Sequence, residues 1–253
     1  MFEQELAFAN ELADRAAGIA LELFRGTFEV RIKTDESPVT EADLAIEDMV
    51  RRAINDRYPN DAVLGEEGGL HEGGDRRWIV DPIDGTRNFA DGVQVWATLI
   101  ALAVGDEPVL GVVSAPALGE RYAARTGDGA SLNGVPIHVS RADRLSRAFV
   151  VHGQMGDWLE GPYAGPVQDL VREARRDRGF GDFWGHALVA RGSADVMVEA
   201  ELNTWDFAAL QVIVREAGGR MTQFDGAPVA HGRSVLTTNG RLHDEVVARL
   251  SAA

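Results

Sequence analysis

Residues 78–91 read WIVDPIDGTRNFAD, and this stretch decides the fold because it ends an apolar run with two carboxylates and a glycine turn. Trp78, Ile79 and Val80 have the character of a buried strand, with Asp81 and Asp84 expected where that strand ends. Two aspartates at this spacing are, by themselves, ordinary turn or helix-cap residues, since Asp and Gly favour loops for backbone reasons. The information lies in the whole run and in what flanks it.

Upstream, Leu6, Ala9, Ala13, Ala16, Ala20 and Phe24 recur at helical spacing and predict an amphipathic helix ending near Gly26. Thr40 opens a second helical pattern through Ala42, Ala45, Ile46, Met49, Ala53 and Ile54 that stops at Pro59, with Asp43 and Glu47 in its early turns. Thr40 with Asp43 has the form of a capping box, which makes Asp43 a capping acid on this reading alone. Downstream, strands are expected at 95–104, 109–114 and 121–125, antiparallel because their connections are too short for crossover helices. Residues 127–139, GDGASLNGVPIHV, predict a hairpin; the spacing of Gly127 and Gly129 is wrong for a dinucleotide fingerprint.

Beyond about residue 145 strands and helices alternate. Strands are expected at 148–152, near Phe180, and at 194–199, 221–224 and 235–238; helices at 167–175, 184–190, 205–217 and 243–250. The pattern predicts an α/β (α+β) fold with helices and sheets in alternating layers. One catalytic unit is expected over 1–253, creased near 140–145 between a half at 1–142 and a half at 143–253.

Composition narrows the function. A chain of 253 residues, 45% hydrophobic, can bury a large core, and its formal net charge of -15 argues against non-specific binding of a polyanion, so no nucleic-acid partner is expected. The absence of cysteine excludes thiolate metal sites and leaves oxygen and imidazole ligands. Glu3 and Glu5 near the start do not suit a secretory signal, and no run approaches the roughly 20 apolar residues of a membrane helix. A cytoplasmic protein without a membrane partner is the expectation.

DPIDGTRNF (81–89) resembles the central motif of the inositol monophosphatase family of magnesium-dependent sugar and polyol phosphatases. VLGEEG (63–68) is similar to that family's strand ending in Gly-Glu-Glu, and TWDFAALQVIVREAGG (204–219) to its Trp-Asp helix running into Glu-Ala-Gly-Gly. The three occur in the family's order, and the resemblance covers nearly the whole chain. It implies a layered α-β-α-β-α sandwich, with metal and phosphate motifs in the first half and the substrate pocket and last metal ligand in the second.

The resemblance also implies a site. Glu66, Asp81 and the carbonyl of Ile83 would hold one Mg2+, and Asp81, Asp84 and Asp206 a second, with two or three ions per site in all. Glu67 is open between a part in this site and a plain loop acid. Carboxylates crowd in this way only when cations compensate them, and hard divalent ions suit oxygen ligands shared with phosphate. Gly85 and Thr86 would offer phosphate their N–H groups. Thr86 paired with Asp43 would orient the attacking water, so Asp43, Thr86 and Glu66, the last through its ion, form the catalytic set. No HExxH pattern stands among the six histidines and no nucleophile elbow surrounds Ser114, Ser131 or Ser234, so water attack on a phosphate monoester is expected.

Specificity falls to RGFGDFWGH (178–186) and VEAELN (198–203). Glu199 stands where the family places an acid against the substrate's alcohol portion, with Asp182 and Asp206 beside it; for Asp182 a helix N-cap is the competing role. Acids aimed at the leaving alcohol favour a cationic one, and the segments are most similar to the family's histidinol-phosphatase branch. The substrate expected is L-histidinol phosphate, in histidine biosynthesis, with inositol 1-phosphate or a broad range of sugar and polyol phosphates as the alternative. Fructose-1,6-bisphosphate would need a second basic site, for which Arg172, Arg175, Arg176 and Arg178 are the candidates; a solvated helix face is their simpler role. A homodimer and sensitivity to lithium are also implied by the resemblance.

Overall fold

A computed structural model describes residues 1–24, 26, 30–32 and 38–251. In chain order its elements are α1 (Glu3–Phe24), β1 (Val30–Ile32), β2 (Pro38–Thr40), α2 (Glu41–Arg57), β3 (Ala62–Gly65), β4 (Gly69–His71), β5 (Arg76–Asp84), α3 (Thr86–Ala90), β6 (Ala97–Val104), β7 (Glu107–Ala115), β8 (Glu120–Arg125), β9 (Ala130–Leu132) and β10 (Val135–Ile137). The second half adds β11 (Phe149–His152), α4 (Ala164–Glu173), β12 (Arg176–Gly179), α5 (Asp182–Ala190), β13 (Val196–Leu202), α6 (Thr204–Glu216), β14 (Arg220–Gln223), β15 (Arg233–Thr238) and α7 (His243–Leu250).

Five layers result. α1 and α2 cover one face of an eight-stranded sheet ordered β10-β9-β8-β7-β6-β5-β3-β4, and α6 crosses its other face with α5 alongside. A five-stranded sheet, β12-β11-β13-β15-β14, packs beyond them, closed on its far side by α4 and α7. This is the expected α-β-α-β-α sandwich. The alanine stripe of α1 is buried under the first sheet, and the apolar face of α6 (Leu210, Val212, Ile213, Val214) fills the central layer. β6, β7 and β8 pair antiparallel, as their short connections require, and β9 and β10 form the hairpin. Among the described residues, no helix is long and apolar enough to cross a membrane.

Several boundaries depart from the sequence reading. β5 does not stop at Val80 but runs on through Asp81 and Asp84. Its register against β6 slips there: Asp81 faces Leu99 and Asp84 faces Ala97, so three steps on β5 match two on its neighbour. One residue is therefore extra. In a regular strand residues three apart point to opposite faces, and the bulge resets that alternation so that both aspartates can serve one site. Pro82 is tolerated at this irregularity, and its carbonyl accepts from Thr98 Oγ1 at 2.8 Å. The strand expected near Phe180 ends at Gly179, and α5 begins at Asp182, two residues earlier than its apolar pattern suggested.

Candidate active site

The bulge of β5 leads directly into Gly85, which adopts φ +83° and so turns the chain where a side chain would be strained. A Cβ at Gly85 would also lie 2.9 Å from the carbonyl of Val95. The five-residue α3 that follows is too short to persist by helix propensity. It is anchored by Phe89, whose buried ring stands 5.0 Å from Trp96 and 5.3 Å from Phe24. Gly85 and Thr86 are thus held at the helix start, where the first amides have no intrahelical acceptor.

α2 supplies the next groups. Asp43 completes a capping box: its Oδ2 accepts from Thr40 N–H at 2.8 Å, while its Oδ1 lies 3.5 Å from Thr86 Oγ1. The capping role read from the sequence and the juxtaposition with Thr86 therefore coexist in one carboxyl group. Thr86 Oγ1 donates to the carbonyl of Ile83 at 2.9 Å. One turn beyond Asp43, buried Glu47 accepts the amides of Glu67 and Gly68, each at 2.7 Å, and the Arg51 guanidinium, also at 2.7 Å. The chain turn carrying Glu66 is thereby fixed to α2. Glu47 was legible as a helical residue but not as a brace; the signal was an acid one turn from Asp43, on the same side of the helix as Ile46 and Val50.

α6 brings Asp206, the third residue of a helix capped by Asn203; Asp206 Oδ2 accepts Asn203 N–H at 2.7 Å. Asp81, Asp84 and Asp206 each place a carboxylate oxygen within 4.8 Å of the others. Asp84 Oδ2 accepts the Phe183 amide at 2.7 Å, which ties the cluster to the start of α5. Asp182 is not the N-cap of that helix. Gly181 holds the cap position with no side-chain cap, and Asp182 follows it in left-handed backbone at φ +54°, with its Oδ2 accepting from Asn88 Nδ2 at 2.9 Å. The helix-cap alternative for Asp182 is set aside on that geometry.

Burial makes this assembly electrostatically expensive. Asp81 is 1% exposed, and its Oδ1 has no hydrogen-bond partner. Burial, and then the charges of Glu66, Asp84 and Asp206, push the Asp81 carboxyl well above the usual range. Asp84 is raised in the same way by burial and by Asp182 and Asp206. Burial lifts Asp206 to about 7 and Asp43 to about 6. An acid with an orphaned buried oxygen, among acids that repel it, fits a multivalent cation held by oxygen ligands. Glu66, Asp81, Ile83, Asp84 and Asp206 line one cavity, together with Gly85 and Thr86.

Beside it lies a larger cleft that shares Glu66, Gly85, Thr86, Asp182 and Asp206. Glu199, on β13, faces this cleft, raised to about 8 by burial; Asp182 is raised to about 6, again first by burial. Among the described residues, six acids line the cleft (Glu66, Asp157, Asp182, Glu199, Glu201 and Asp206) against one basic side chain, Arg87. Asp157, in a segment without a local motif, was not singled out from the sequence, and Glu201 entered only as part of VEAELN (198–203). The four arginines considered for a second phosphate site do not line the cleft.

A five-layer sandwich carrying a buried carboxylate cluster beside a glycine turn at a helix start defines the class: a metal-site phosphatase fold of the inositol monophosphatase type. The family profile described as "Inositol monophosphatase family" matches residues 1–253, and the chain belongs to that family. It is 45% identical over 260 residues to the histidinol-phosphatase of Mycobacterium tuberculosis, covering 100% of both chains. It is 44% identical to the histidinol-phosphatase of Streptomyces coelicolor, covering 98% of this chain and 97% of the relative. Among solved structures, an inositol monophosphatase from Zymomonas mobilis superposes with a TM-score of 0.89 at 31% identity, over 99% of each chain.

Proposed function

We propose that this protein is a magnesium-dependent phosphate monoester hydrolase whose substrate is L-histidinol phosphate, which it converts with water to L-histidinol and phosphate. The observation that carries the substrate is the cleft beside the carboxylate cluster, where among the described residues six acids face one arginine. A leaving alcohol bearing an ammonium and an imidazole is complementary to that wall, and a neutral polyol gains less from it. The names of the 44–45% identical relatives point the same way. Among the described residues a second phosphate has no basic cradle there, which disfavours a bisphosphate.

In this reading Glu66, Asp81, Asp84, Asp206 and the carbonyl of Ile83 would hold the two or three Mg2+ ions. Bound Mg2+ supplies Lewis acidity toward the phosphoryl oxygens and toward water. The chain's own groups do the rest. The amides of Gly85 and Thr86 bind phosphate, Thr86 Oγ1 and Asp43 Oδ1 orient the attacking water and receive its proton, and Asp182, Glu199 and Asp206 take the alcohol portion. Because a hydroxyl has one hydrogen, Thr86 must leave the Ile83 carbonyl, 2.9 Å away, to donate to Asp43 at 3.5 Å.

Side-by-side turnover of histidinol phosphate and inositol 1-phosphate under a magnesium titration tests both parts. Histidinol phosphate is expected to give the larger kcat/KM; a large preference for inositol 1-phosphate rejects the substrate, and turnover independent of magnesium rejects the metal. The same family reading carries a homodimer and inhibition by lithium, checked by light scattering and an inhibition curve.

A further inference from the structure

Glu199 is held from behind by a buried histidine that no step of the reaction uses. His186, on α5, is 0% exposed. Its Nε2 lies 3.2 Å from Glu199 Oε2 and its Nδ1 lies 2.7 Å from Thr237 Oγ1 on β15. The other carboxylate oxygen, Oε1, accepts the Asp182 amide at 3.1 Å. Two glycines close the remaining space: a Cβ built on Gly153 would stand 2.6 Å from Oε1, and one on Gly181 3.0 Å. Oε1 therefore occupies room that only glycine leaves at these two positions.

The hydrogen bonds of this group are linked. Burial pushes the His186 imidazole down to about 3, so it is neutral, with one N–H and one lone pair. If Nε2 carries the hydrogen, it donates to a Glu199 carboxylate, Nδ1 becomes the acceptor, and the Thr237 hydroxyl must donate to it. If Nδ1 carries the hydrogen, it donates to Thr237, and the bare Nε2 lone pair repels a carboxylate. Burial raises Glu199 to about 8, so it ionises fully only when a cationic group meets it, and the direction of one threonine hydroxyl decides whether that anion is supported.

We propose that His186 and Thr237 are positioning residues for substrate selection: the Thr237 hydroxyl fixes the imidazole with Nε2–H toward Glu199, and this aims Glu199 as a carboxylate at a cationic leaving alcohol. The inference rests on the assignment of Glu199 to the alcohol end of the substrate. His186 also lines the cavity of the carboxylate cluster, but its two ring nitrogens face Glu199 and Thr237, so the effect of this pair on Glu199 belongs to KM for the alcohol portion.

The test is steady-state kinetics of the full chain at saturating magnesium, with histidinol phosphate and inositol 1-phosphate as substrates. Thr237→Val removes the hydroxyl at constant volume. It is expected to raise KM for histidinol phosphate roughly tenfold, as for a lost hydrogen bond to a charged group. kcat and the KM for inositol 1-phosphate should stay within about twofold. His186→Leu should do the same, and His186→Gln, which can again present an N–H to Glu199, should recover part of the loss. If His186→Leu does not fold, Thr237→Val alone decides. Parallel losses on both esters mark a merely structural role and overturn the inference, as does no change on either. A wild-type preference for inositol 1-phosphate overturns the substrate assignment alone. The positioning role is then judged by whether the same variants raise KM for that preferred ester about tenfold at constant kcat.

Discussion

Asp43 and Asp206 each divide two oxygens between structure and site. Asp43 closes the cap of α2 with Oδ2 and turns Oδ1 toward Thr86; Asp206 closes the cap of α6 with Oδ2 and still stands in the cluster with Asp81 and Asp84. A capping box fixes the rotamer of its acid, so the cap preorganises the acid for its second task. Asp84 carries no cap, and its Oδ2 is satisfied by the Phe183 amide. Asp84→Asn keeps an acceptor for that amide at equal volume while removing one charge from the cluster. Activity is expected to fall by roughly 10²–10³, in the range for loss of one electrostatic group at a reacting centre. The metal-free variant should unfold at the same temperature as wild type or higher, because a buried repulsion is relieved. Near wild-type magnesium-dependent turnover in the Asp84→Asn enzyme would remove Asp84 from the metal site.

At the scale of elements, the brace between α2 and the Glu66 turn is open to a direct test. Glu47→Gln retains size but loses the charge that meets Arg51 and one of the acceptor oxygens that meet the amides of Glu67 and Gly68. The turn should loosen, and the magnesium concentration for half-maximal activity should rise about tenfold. Magnesium binding by calorimetry should weaken in step, with unchanged affinity counting against the brace. The helices, the antiparallel strands and the three motifs were legible in the sequence because hydrophobic period and turn residues are local signals. The bulge at Asp81–Asp84, the first-turn placement of Asp182, and the roles of Glu47 and His186 were not. Each depends on a partner distant in sequence: Leu99 and Ala97 for the bulge, Asn88 for Asp182, Gly68 for Glu47, Thr237 for His186. Asp157, in the segment after β11, and Glu201, on β13, reach the cleft through the fold as well.

Across the whole molecule, the layers converge on one acidic centre, and its charge sets how stability responds to pH and to metal. In the unfolded chain these acids titrate near their ordinary values of 3.8 for Asp and 4.5 for Glu. Folded, Asp43 and Asp182 lie at about 6, Asp206 at about 7 and Glu199 at about 8, with Asp81 and Asp84 also raised. A folded state that holds protons more tightly than the unfolded chain has its full stability below the unfolded values, about pH 4, and loses it as pH rises through about 6 to 8. Without metal, the melting temperature is therefore expected to fall between about pH 5.5 and 8.5 as the acids are forced to ionise together. A divalent cation offsets that repulsion and binds best to the ionised cluster, so magnesium should raise the melting temperature, and by more at the higher pH. Thermal unfolding in chelator and in excess magnesium, at both pH values, measures the two effects. A magnesium-induced shift of equal size at both pH values would mean that the ion binds away from the buried acids, and a melting temperature in chelator that does not fall with pH would mean that the cluster is not strained by its own charge.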